Sequence, residues 1–68
     1  MKPVSGKQFC KALERNGWIL LRINASHHIY GRPDLPVILP VPVHGNRDLA
    51  TGTQRALMRL AGLRDDDL

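Results

Sequence analysis

The chain is poor in cysteine, aromatics and acids, and each shortage narrows what it can be. Cys10 is the only cysteine among 68 residues, so no disulfide forms within the chain. A lone thiol reads as a reducing, intracellular setting, in which it behaves as a small buried hydrophobe. The candidate metal ligands Cys10, His27, His28 and His44 lack the paired spacings of a closed zinc site. No apolar run suited to a signal peptide or a membrane span follows Lys2 and Lys7. The expectation is a soluble, cytoplasmic protein. Repeats, low-complexity tracts and linkers are also missing, so residues 1–68 read as a single domain. So short a chain buries only about 60% of its unfolded surface, and with disulfide and zinc set aside, a binding partner is the expected source of extra stability.

Acids are scarce in a way that matters for function. Six Asp and Glu stand against ten Lys and Arg, for a formal charge of +4 and an isoelectric point near 10.0. Asp65, Asp66 and Asp67 hold three of the six acids, so residues 1–64 carry ten cations against three acids, or +7. Such a domain favours a polyanion: RNA, DNA or an acidic protein surface.

What is present orders itself as helix, three strands, helix. Ser5 and Gln8 form a capping box, with Val4 and Phe9 placed as a hydrophobic staple. Phe9, Cys10 and Leu13 then recur at helical spacing, and Lys7, Lys11 and Arg15 take the wet side. Asn16-Gly17 ends this helix, predicted over about residues 5–15. Trp18 to Asn24 alternates as a strand, with Ile19, Leu21 and Ile23 on one side and Trp18, Leu20 and Arg22 on the other. Asn24-Ala25-Ser26 reads as a hairpin turn, and His27 to Arg32 as the returning antiparallel strand. Gly31 to Pro36 reads as a loop built from breakers. Val37 to Val41 is a third strand, and Pro36, Pro40 and Pro42 assign it to a sheet edge. A second capping box at Thr51 and Gln54 opens the last helix, with Thr53, Ala56, Leu57 and Leu60 as its buried stripe. Gly62 and Leu63 close it as a Schellman cap, and residues 65–68 are expected to fray as an acidic tail. The fold class is α+β, two amphipathic helices covering one face of a three-stranded antiparallel sheet.

The chemistry-bearing residues lie in Ser26-His27-His28. Adjacent strand residues point to opposite faces, so the two histidines do not serve one site together; spacing leaves open which of them faces the open side. Imidazole titrates near neutral pH and suits proton transfer. RNA carries its own nucleophile in the 2′-hydroxyl, so cleavage needs an acid or base and cations for the phosphate, and no metal.

Several landmarks recur in one order: Leu13-Glu14-Arg15-Asn16-Gly17-Trp18, Arg22, Ser26-His27-His28-Ile29-Tyr30, Pro40-Val41-Pro42-Val43-His44, Arg47-Asp48-Leu49, Gly52-Thr53 and Ala61-Gly62-Leu63. On these the chain resembles the HicA family of bacterial toxins along nearly its whole length. The resemblance implies a double-stranded-RNA-binding-domain-like α-β-β-β-α fold and a metal-independent endoribonuclease that cleaves mRNA and blocks translation. It also implies neutralisation by a HicB antitoxin, no cofactor, and a catalytic histidine at His27. Arg22, Ser26, Arg32 and Arg47, with some of the lysines, are the candidate RNA contacts. The family usually has glycine where this chain has Ala25. Either the turn is built differently or the loop before His27 is shifted, with Asn24 as another residue able to take a left-handed conformation. Two other readings stand beside the toxin: a module that binds structured RNA without cutting it, and an inactive protein that only docks an antitoxin.

Overall fold

The computed structural model describes residues 1–68. Helix α1, Gly6–Arg15, starts where the local chemistry places it. The Ser5 hydroxyl accepts from the Gln8 amide at 3.1 Å, and the Gln8 side-chain oxygen accepts from the Ser5 amide at 2.8 Å. Val4 and Phe9 are both buried in one cluster, as a staple requires. The helix turns Phe9, Cys10, Ala12 and Leu13 inward and leaves Lys7, Lys11 and Arg15 exposed. It stops at Asn16, and the Trp18 amide turns back to the Leu13 carbonyl at 3.0 Å.

Strands β1 (Ile19–Asn24), β2 (His27–Arg32) and β3 (Leu35–Pro42) form one antiparallel sheet in the order β1-β2-β3. The third strand is longer than its predicted span of 37–41, and the breaker-rich loop predicted over 31–36 shrinks to the turn at Pro33-Asp34. Arg32 pairs directly with Leu35. Prolines fit β3 because an edge strand needs ladder donors on one side only.

Helix α2, Thr51–Ala61, departs from its predicted start. Its N-cap is Ala50, without a side-chain cap hydrogen bond. Thr51 is therefore the first helical residue, and Gln54 lies one position too far along to reach back as a capping box. Gln54 is buried instead. Its side-chain oxygen accepts from the Val4 amide at 3.2 Å, and its amide donates to the Lys2 carbonyl. The buried stripe is displaced with it, to Gln54, Leu57 and Met58, while Thr53, Ala56 and Leu60 are exposed. The far end closes as expected: Gly62 is left-handed at φ +70°, and the Leu63 amide reaches the Met58 carbonyl at 2.9 Å with Leu63 itself buried. The acidic tail, expected to fray, turns as a 3-10 helix over Asp65–Asp67, and Leu68 packs partly buried against the core.

Both helices cover one face of the sheet. Phe9, Leu13, Leu57 and Met58 meet Trp18, Tyr30, Leu39 and Val41 there in one buried cluster, each large side chain contributing about 1.5–3 kcal/mol of transfer free energy. The architecture is the expected two-layer α+β fold. On the opposite face Ile19, Leu21 and Ile38 remain half exposed around a shallow hollow floored by Gly31.

Candidate functional site

The β1–β2 hairpin closes tightly. Asn24 pairs with His27, which leaves Ala25 and Ser26 as the turn. Ala25 has φ +55°, the one positive φ outside glycine. The alanine itself thus takes the left-handed conformation, and Asn24 stays in β1. The Ser26 carbonyl accepts from the Val43 amide at 2.7 Å, which ties the hairpin tip to the end of β3.

The turn sets the direction of both histidines. Tyr30 points into the helix-covered core, so His28, two residues away, shares that side. His27 shares the other side with Ile29 and Gly31, and a Cβ on Gly31 would meet Leu21 and Ile38 of the open face. Ile29 is buried yet stands apart from the core cluster, in keeping with that placement. His27 is therefore exposed on the open face at the end of the central strand, and His28 is half buried beside α1.

Arg22 reaches the side of His27 through an irregularity. Strict alternation groups it with Leu20 and Trp18. A β-bulge between Leu20 and Arg22 breaks that alternation, so Leu20 pairs with Tyr30 while Arg22 pairs with Ile29. Arg22 and His27 consequently stand diagonally on one face. Pro42, which pairs with His27, also borders a cleft of about 250 Å³ lined by His44, Arg47, Asp48 and Thr53. The loop carrying Arg47 is pinned by the Leu49 amide, which donates to the Val4 carbonyl at 2.9 Å. Ser26, His27 and Arg22 thus share the hairpin end of the sheet, and Arg47 lies in the loop that lines the cleft beside Pro42. Arg32 lies at the other end of β2, five residues and roughly 17 Å away. Its guanidinium sits 5.8 Å from the Trp18 ring centre, pairs with Asp34 at 3.0 Å and donates to the Asn16 carbonyl at 3.3 Å.

A family model described as "HicA toxin of bacterial toxin-antitoxin" matches residues 6–63. The chain belongs to the HicA toxin family. The matched span holds both helices, all three strands and every candidate residue named above. No curated protein matches the chain significantly. Membership makes this a toxin of a toxin–antitoxin pair and implies an antitoxin as its partner. No helix of this HicA chain is long and apolar enough to cross a membrane.

Residue order alone assigns no role to a polar chain under α1. The Tyr30 hydroxyl donates to Glu14 Oε2 at 2.6 Å. Burial, and then this bond, hold the hydroxyl far above the usual phenol range, while burial pushes the Cys10 thiol up as well. Both groups stay protonated at neutral pH, and the Tyr30 hydroxyl acts as a fixed donor. Lys7 and Lys11 border the same region as His28. The available signal for them was their i,i+4 spacing, which places both on one helix face.

Proposed function

We propose that this HicA toxin is a metal-independent endoribonuclease that cleaves mRNA in the cytoplasm and so inhibits translation. The observation that carries the reading is His27: an exposed imidazole on the open face of the central strand, beside Arg22, in a chain whose first 64 residues carry +7. His27 takes the proton of the ribose 2′-hydroxyl as that oxygen attacks the adjacent phosphorus, or gives a proton to the departing 5′-oxygen. The P–O2′ bond forms and the P–O5′ bond breaks, so no external nucleophile or metal-bound water enters. Arg22, Ser26 and Arg47 are the proposed RNA contacts near the reacting phosphate, where cations offset the charge that develops on it. Arg32, at the far end of β2, is a weaker candidate because its side chain already has three partners. A HicB-type antitoxin neutralises the toxin, and covering the His27 ring is the simplest means.

The left-handed φ of Ala25 and the two-residue turn before His27 support the toxin reading over a docking-only protein, since the loop before His27 is not shifted. The test is cleavage of one mRNA with EDTA present, by wild type and His27→Ala. Wild type should shorten the RNA and the variant should not, with matching circular dichroism spectra. Retarded but intact RNA with the wild type would make the protein a binder, and undiminished cleavage by the variant would remove His27 from the mechanism.

A further inference from the structure

His28 looks away from His27 into a groove between α1 and β2. Lys7, Lys11, Glu14, Leu20 and Tyr30 line it with His28, around a volume of about 270 Å³. Lys7 and Lys11 stand one turn apart on α1, so both stems follow the same wall. Both of the protein's ion pairs lie elsewhere, Met1 with Asp65 and Arg32 with Asp34, so neither lysine is neutralised. Glu14 is the sole acid on the groove, and one of its oxygens is held by the Tyr30 hydroxyl. Leu20 and Tyr30 provide apolar wall, which lowers the local dielectric and strengthens attraction for an anion.

We propose that this groove holds a phosphate of the RNA chain, with Lys7, Lys11 and His28 as its contacts. The inference rests on the ribonuclease reading and extends the substrate path beyond the His27 face. The groove adjoins the hairpin that presents His27, because His28 is the next residue of the same strand. A nucleic acid threading past the tip then meets His27 on one side and the lysine groove on the other. An RNA phosphodiester fits the site because its two anionic non-bridging oxygens accept from the ammonium groups and the imidazole, and a chain bound at His27 carries one such group per nucleotide past the groove.

The test uses a short single-stranded RNA with 2′-O-methyl riboses, which lacks the nucleophile and reports binding without cleavage. Lys7→Gln/Lys11→Gln should weaken its binding about tenfold at moderate salt. It should also flatten the slope of log affinity against log salt by roughly 0.7, the value for one phosphate of a single strand no longer neutralised. His28→Gln should weaken binding several-fold. Arg55→Gln/Arg59→Gln, which removes the same charge from the exposed face of α2, should change binding much less. Equal losses in the two double variants would reduce the effect to bulk charge and overturn the site. Wild-type affinity and slope in the lysine variant would overturn it too, including the case where that variant loses only its grip on an acidic protein. The cleavage assay with unmodified RNA separates the two ideas: a wild type that binds through the groove but cuts nothing ends the ribonuclease reading and leaves the groove standing.

Discussion

The two ends of β2 each carry a cationic or protonatable side chain, and the structure uses them in opposite ways. At the Arg32 end the guanidinium lies over Trp18, pairs with Asp34 and donates to the Asn16 carbonyl. At the other end His27 is exposed, opposite Asn24 and Pro42, with neither a hydrogen bond nor an ion pair of its own. A side chain with three partners holds the end of α1 to the sheet. A side chain with none is available to a substrate.

The largest expected effect sits at the free end. His27→Ala should lower the cleavage rate by about 10²- to 10⁴-fold, the usual contribution of a positioned acid or base, while leaving the melting temperature unchanged. Single-turnover rates together with thermal unfolding would check it. A large fall in melting temperature with the rate retained would reverse the roles of the two ends.

Much of this arrangement could be read from residue order, and the failures have identifiable causes. Ser5, Gln8, Val4 and Phe9 act within one helical turn, so α1 was legible in full. The hairpin and the edge position of β3 followed from turn residues and prolines, which act equally locally. Gln54 misled because Thr51-x-x-Gln54 satisfies a local capping pattern, whereas its real partners, Val4 and Lys2, are some fifty residues away in the chain. That one misassignment displaced the buried stripe of α2 as well. The bulge at Leu20/Arg22 was invisible because nothing in a single strand says where its partner skips a residue. It decides that Arg22 faces the same way as His27. The pairing of Arg32 with Trp18 and the groove beside His28 are likewise tertiary, formed by elements that meet only in the fold.

Between the two ends, the protonated Tyr30 hydroxyl ties the strand to Glu14 of α1, beside the buried Cys10 thiol of the same helix. Both have pKa values raised on folding, so their stabilising contribution is complete below the unfolded values of 9.0 for the thiol and 10.0 for the phenol. As pH rises past those values the unfolded chain loses protons that the folded protein retains, and stability falls. The slope should approach about 1.4 kcal/mol per pH unit for each group. Urea unfolding from pH 8 to 11 would show it, and Tyr30→Phe should remove the steeper part above pH 10. A flat profile would mean that the middle of the strand opens easily and the core under α1 is looser than the buried hydroxyl implies.

At the occupied end, Arg32→Ala should be a stability variant. Losing an exposed ion pair and a cation–π contact removes about 1 kcal/mol, or a fall of roughly 4–8 °C in melting temperature for a domain of this size. Cleavage measured well below that temperature should match wild type. A loss of RNA affinity without any thermal shift would instead make Arg32 a substrate contact and dissolve the distinction between the ends.

The smallest effect is expected at Ala25, where the free end of β2 begins. An L-residue in the left-handed region is disfavoured by about 1–2 kcal/mol, and φ +55° places Ala25 there. Glycine relieves that strain but enters with a more flexible unfolded chain, which offsets about 0.5–1 kcal/mol of the gain. Ala25→Gly should therefore stabilise by about 0.5–1 kcal/mol, read as a rise of a few degrees in melting temperature. Its cleavage rate should stay at the wild-type level, because the turn already presents His27 in the geometry a glycine would give. A rate that rises sharply in this variant would show that the alanine strains the hairpin enough to misplace the imidazole, and that the unpartnered end of β2 is held less firmly than its hydrogen bond from Val43 to Ser26 suggests.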